Sequence, residues 1–148
     1  MDTLTAFWQS ADPYVKERHF RSKLRTSKPG GYVVNKQWVL RTAGAAWGWM
    51  QEEDGLRMTY AGVMKLFQLK QKDERLREKS EKELGAEFGV IMLDEAQDIN
   101  DCTADIVLGQ TKCGIIIVGD PHQTIYGWNG ARDHITAARA DKTLYLTQ

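Results

Sequence analysis

An α/β fold built on a parallel sheet is what this sequence predicts, and three observations carry that expectation. Two short and almost wholly apolar runs, GVIMLD at residues 89–94 and GIIIVGD at 114–120, suit strands buried on both faces. Residues 101–110 between them read as a helix, with Asp101 as its cap. A helical stretch at 132–139 and the run TLYLTQ at 143–148 then extend the order to strand, helix, strand, helix, strand.

The chain divides near Phe88. Residues 1–87 form a helical and irregular region, and 88–148 form the α/β segment. In the first region TLTAFWQSAD predicts a short helix with Leu4, Phe7 and Trp8 on one side. Residues 14–24 are basic and weakly patterned, and KPGG at 28–31 is a turn. From Asn35 the spacing of Val39, Ala43, Trp47 and Met50 follows the helical period until Gly55 closes the segment. Thr59 then caps a second helix carrying Val63, Met64, Phe67 and Leu69. The run KQKDERLREKSEKEL at 70–84 mixes both signs of charge and reads as a solvated helix or linker, not a polyanion-binding patch.

The 148 residues suffice for one domain with its own core. Twenty basic and twenty acidic side chains leave no net charge, so any polyanion binding must come from a local site. Cys102 and Cys113 form no C-x-x-C pair, and with the three histidines they make no metal site of recognisable spacing. A reduced, intracellular setting suits them. No signal peptide and no membrane-spanning run is evident, so a soluble protein is expected. An α/β sheet needs more parallel strands than three, and the sequence stops on a strand, which predicts a piece of a larger unit.

The first apolar run ends in DEAQD. Ligands of an open parallel sheet bind outside the carboxyl ends of its strands, where Asp94 and Glu95 stand, as does the loop from Asp120. Two adjacent carboxylates there can divide the work of nucleotide hydrolysis. One holds Mg²⁺ through its waters, and the other orients and deprotonates the attacking water. Taken alone, the pair suits equally an acid-decorated helix N-terminus, and that duller reading is then preferred.

About twenty-five residues on comes VGDPHQTIYGWNGA at 118–131. DEAQD after one buried strand, followed by this fourteen-residue pattern after the next, resembles motifs II and III of the UvrD/Rep-type superfamily 1 DNA helicases. MTYAGVMKLFQL, FGVIMLDEAQD and LYLTQ are similar to the F-box DNA helicase branch, as is TLTAFWQSAD more loosely. The resemblance implies a partial RecA-like sheet of the P-loop NTPase type with a helical N-terminal insert region. It also implies an ATP-dependent 3′–5′ helicase that couples ATP hydrolysis to movement along single-stranded DNA and duplex unwinding in repair and recombination, in the nucleus.

On the matching positions the resemblance assigns Asp94 to Mg²⁺ through water and Glu95 to the general base. It gives Gln97 and Asp98 to the nucleotide-side network, and Gln123 to sensing the γ-phosphate. Tyr126 and Trp128 resemble the aromatics on which unpaired bases stack, a contact of about 1–3 kcal/mol per base that tolerates any sequence. Tyr126 stands three positions after Gln123, so a shift at the phosphate can move the stacking platform. Singly each residue has a duller reading: the aromatics as core, Gln123 as a turn cap, and Gly119, Gly127 and Gly130 as turn glycines. His122 reads as a loop residue, and His19 and His134 as ordinary core or surface histidines.

The departures from the family pattern shape the expectation. The phosphate-cradling G-x-x-G-x-G-K-[ST] loop does not occur in the sequence, and Asn129 stands where the family usually has arginine. By itself the chain is expected to hydrolyse ATP poorly. Some members of the branch carry an F-box that recruits ubiquitin-ligase components, and no F-box is readable in these residues. Two other readings stand beside this one. The chain is then a catalytically inactive short product that binds single-stranded DNA or protein, or residues 14–69 are a protein-interaction insert.

Overall fold

Asp2 starts the first helix: its carboxylate accepts the Thr5 N–H at 2.8 Å, meeting one of the N–H groups a helix start leaves unpaired. The computed structural model describes residues 2–21, 34–73, 84–123 and 134–146. Helix α1 (Thr3–Trp8) turns Phe7 and Trp8 inward, as their spacing predicts. Helix α2 (Lys36–Trp49) begins at Asn35, whose side chain accepts the Trp38 N–H, and buries Ala43 and Trp47. It stops before the expected Gly55. That glycine instead folds back on the helix end, where a Cβ would lie 1.7 Å from the Trp49 carbonyl oxygen.

Helix α3 (Tyr60–Lys72) is capped by Thr59, as the sequence indicates. Its inner face differs from the expected one. Lys65 and Gln68 are buried, while Val63 and Phe67 stand exposed. The reason is a set of carbonyl and carboxylate partners waiting inside, which repays the burial of polar groups. Lys65 Nζ donates to the Ser10 carbonyl and to Gln68 Oε1, each at 2.8 Å, and sits 4.7 Å from the centre of the Phe7 ring. Gln68 donates in turn to the Ala11 carbonyl and to Asp105.

The core gathers around α1. Phe7 meets Trp47 edge-on at 5.6 Å and His19 at 5.5 Å, and Leu4, Val15, Met50, Met58, Ala61, Leu66 and Leu69 pack against Phe7, Trp8 and Trp47. His19, buried and not a surface residue, takes the Lys16 N–H on Nδ1 at 2.8 Å. Its ring proton therefore sits on Nε2, 2.8 Å from Asp12 Oδ2. Burial holds the His19 pKa below the ordinary histidine range against the pull of Asp12. Burial works to raise Asp12, yet Lys16 and Arg18 outweigh it and keep its carboxyl below the usual value.

A short helix α4 (Leu84–Glu87) precedes strand β1 (Val90–Leu93), helix α5 (Asp101–Leu108), strand β2 (Gly114–Ile117) and helix α6 (His134–Ala137). The strands pair in parallel, Val90 opposite Gly114 through Leu93 opposite Ile117, and α5 is the crossover between them. Asn100 caps α5, not the neighbouring Asp101: its side chain accepts both the N–H and the hydroxyl of Thr103. Helix α5 packs on α3, and its Cys102 N–H donates at 3.1 Å to the carbonyl of Gln9, at the end of α1. The helical region and the strand segment are thus joined through polar as well as apolar contacts.

Neither strand is covered on both faces, contrary to the sequence expectation. Val90 is 57% and Met92 67% exposed, and Ile116 and Val118 are open beside them, while Ile91, Leu93, Ile115 and Ile117 are half-buried. A continuous apolar run cannot say which of its two faces is covered, because it carries no polar alternation to orient it. The expected third strand does not form among the described residues of its run: 143–146 carry no regular secondary structure, are exposed, and take no place in the two-stranded sheet. KPGG at 28–31 and most of the charged run, 74–83, lie outside the described residues. Both cysteines are free thiols, and no helix among the described residues is long and apolar enough to cross a membrane.

Candidate functional site

Both strands deliver their loops to the same edge of the sheet, because parallel pairing puts both carboxyl ends together. The pairing runs past the strands: the Val118 N–H donates to Leu93 at 2.8 Å, and the Ala96 N–H returns to Val118 at 3.0 Å. Between those two bonds the chain must make a sharp turn within two residues. Asp94 accepts the Glu95 N–H on Oδ1, and Glu95 takes a left-handed backbone with φ 50° and ψ 41°. Among the described residues it is the only non-glycine with positive φ. That conformation costs a side-chain-bearing residue about 1–2 kcal/mol. The 3₁₀ turn Ala96–Asp98 follows, closed by the Asp98 N–H on the Glu95 carbonyl.

Gln97 leaves that turn pointing inward and is 2% exposed. Its amide is used at both ends. Nε2 donates to Glu95 Oε2 at 2.6 Å, and Oε1 accepts the Asp120 N–H at 3.0 Å. Asp120 continues the chain of bonds, taking the His122 N–H on Oδ1 at 2.9 Å and Gln123 Nε2 on Oδ2 at 2.7 Å. The His122 N–H, then Gln123, hold the Asp120 carboxyl below the ordinary aspartate range. Gly119 makes room for the link. A Cβ there would lie 2.3 Å from Gln97 Oε1, 2.7 Å from Ile135 Cδ1 and 3.0 Å from the Ala96 nitrogen.

Three of the residues singled out in the sequence, Glu95, Gln97 and Gln123, therefore stand in one hydrogen-bonded string. Its middle member, Asp120, had been placed at a strand end without a role. The signal was present in its position, one residue after the glycine that ends the second apolar run. Asp94 lies exposed at the head of the site, and Asp98 is half-buried in the turn. Tyr126, Trp128 and Asn129 lie outside the described residues. His122 is exposed in the loop, as expected, while His134 reaches across to Asp101, with Nε2 3.3 Å from Oδ1.

Among the described residues no group of three or more His, Cys, Asp and Glu side chains could cage a metal ion. That is compatible with Mg²⁺, which takes one or two carboxylates and completes its octahedron with water and phosphate oxygens. Asp94, a hard oxygen donor open to solvent at the strand end, fits such an ion. The arrangement as a whole offers an exposed carboxylate, a second carboxylate fixed by an amide, and a glutamine fixed by a third carboxylate.

Residues 56–143 match the family described as the UvrD/REP helicase N-terminal domain. The chain belongs to this helicase family. The matched stretch runs from just before α3 to beyond α6, and it contains both strand-end loops. Over 154 aligned residues this UvrD/REP family member is 33% identical to F-box DNA helicase 1 of Gallus gallus, covering 99% of the chain and 14% of that protein. It is 46% identical over 46 residues to F-box DNA helicase protein 1 of Schizosaccharomyces pombe, covering 31% of the chain and 5% of that protein. The chain thus spans a small part of the length of these relatives. No solved structure matches it.

Proposed function

We propose that this chain is part of the first RecA-like domain of an ATP-dependent 3′–5′ DNA helicase of the F-box DNA helicase kind. In this reading residues 1–87 are the helical region of the ATP-binding domain, and 88–148 are the segment carrying motifs II and III. The observation that carries it is the hydrogen-bonded string from Glu95 through Gln97 and Asp120 to Gln123. It brings the candidate base and the candidate phosphate sensor into one connected unit at the carboxyl edge of the sheet, where a nucleotide belongs.

ATP is the substrate, with Asp94 holding Mg²⁺ through its waters. That ion, when bound, neutralises charge on the phosphate oxygens. Glu95 orients the attacking water and takes its proton, and Gln123 meets the terminal phosphate. Asp98 adds to the nucleotide side. Tyr126 and Trp128, just beyond Gln123 in sequence, supply stacking surfaces for unpaired bases. Hydrolysis is thereby coupled to translocation on single-stranded DNA and to duplex unwinding during repair and recombination in the nucleus. Ubiquitin-ligase components are partners of the parent protein only through a part outside these residues.

The test is Glu95→Gln in the full-length protein. Loss of a positioned general base removes on the order of 10²–10⁴-fold in rate. The expected outcome is a steady-state ATPase rate lowered by at least 100-fold, with unwinding of a 3′-tailed duplex lost alongside it. Retention of more than a tenth of the ATPase rate would overturn the assignment.

A further inference from the structure

We infer that Gln97 is a positioning residue, a two-ended amide that fixes the aim of Glu95 by reference to the Asp120 backbone. The inference rests on the hydrolytic reading above and goes beyond it by giving Gln97 a role exercised through Glu95, not through the nucleotide. Three observations carry it. The side chain is almost wholly buried, so little of it is open to a ligand. Both ends of its amide are engaged by protein groups of the two loops, Glu95 Oε2 on one side and the Asp120 N–H on the other. Its amide oxygen sits where a Cβ on residue 119 would come within 2.3 Å of it, so the glycine leaves room for the link.

The geometry has a directional consequence. Asp120 holds Gln123 through its carboxylate and Gln97 through its N–H, so any displacement of the second loop is felt at both. Gln97 passes that displacement to the Glu95 carboxylate. The base is aimed when the second loop is in register and misaimed when it is not, so base and sensor work together. An amide suits the task because it offers a donor and an acceptor at once. Glutamate at this position keeps the acceptor for Asp120 and sets a second carboxylate against Glu95. Methionine keeps the shape and removes both bonds.

Two measurements test the inference. In the full-length protein, Gln97→Glu and Gln97→Met are each expected to lower kcat for ATP hydrolysis at least tenfold while KM for ATP stays within twofold. Adding either to Glu95→Gln is expected to bring no further loss, because a residue acting through Glu95 has nothing left to aim. A rise in KM with kcat retained, or a further loss in the double variant equal to the single one, would show that Gln97 acts elsewhere. If Glu95→Gln itself keeps its ATPase, the hydrolytic reading falls first, and the kinetic arm separates that outcome from this one.

The second measurement needs no turnover. In ¹⁵N-resolved spectra of the 148-residue chain, Glu95→Gln is expected to move the Gln97 side-chain amide and the Asp120 backbone amide. With Gln97→Met in place, the change at position 95 is expected to leave Asp120 still. An Asp120 amide that ignores position 95, or that responds equally without Gln97, overturns the link.

Discussion

Raising the pH from 8 to 10 separates the two ionisable groups buried where α3 meets α5. Lys65 is fully buried, and burial pulls its pKa down to about 8 from 10.5, against the pull of Cys102, Asp12 and Asp105 and with a small push from Lys72. Burial pushes the Cys102 thiol up to about 11 from 9.0, against Lys65 and with Asp105. Between pH 8 and 10.5 the unfolded lysine holds its proton while the folded one has lost it, so stability rises with pH. Between pH 9 and 11 the unfolded thiol has lost its proton while the folded one keeps it, so stability falls.

One proton's difference held over one pH unit is worth about 1.4 kcal/mol. Partial titration reduces this to about 1 kcal/mol gained through Lys65 between pH 8 and 9, with a small loss at Cys102. From pH 9 to 10 the lysine gains about 1 kcal/mol and the thiol loses about as much, so the curve flattens. In Cys102→Ala it keeps climbing, and the gap between the two proteins over pH 9 to 10 widens by about 1 kcal/mol. Urea unfolding at pH 8, 9 and 10 in reducing buffer measures it, since ordinary surface lysines and tyrosines are common to both proteins. Parallel curves for the two proteins, or a wild-type stability that falls from pH 8 to 9, would refute the burial argument.

Gly119→Ala forces a methyl into contact with Gln97, Ile135 and the Ala96 backbone. A loss of about 1–3 kcal/mol is expected from overpacking, read as a lower urea midpoint. Phe7→Ala removes the ring that Trp47, His19 and the Lys65 ammonium all face, and is expected to cost about 3–5 kcal/mol in the same assay.

What the sequence disclosed was mostly local. Thr59 is legible as a cap because a cap needs only a short polar side chain before a periodic run, and it serves as one. At α5 two suitable residues stand side by side. Asn100 takes the role because its backbone is extended while Asp101 is already helical, which composition does not reveal. The two strands are legible as apolar runs, but their open faces are not. Val90 and Met92 look as burial-prone as Ile91 and Leu93 until a neighbouring layer is known.

Helix α3 misled for the opposite reason. Lys65 and Gln68 carry no apolar signal, and only the carbonyls of Ser10 and Ala11, more than fifty residues earlier, together with Asp105 explain their burial. In the site, the motif resemblance singles out Glu95, Gln97 and Gln123, which hydrogen bonds link in one string, while Asp120 is passed over because a strand-end aspartate is common. That Gln97 is buried with its amide oxygen against Gly119 is a through-space relation with no local mark.

The ammonium of Lys65 has a consequence for how the molecule tolerates trimming. One of its two acceptors is supplied by Ser10, in the short loop after α1, so the amino-terminal stretch serves as a plug over a buried charge. Proteolytic removal of residues 2–11 would uncork that charge together with the Gln68 amide. Deletion there should therefore loosen α3 and α5, two helices that lie far downstream along the chain.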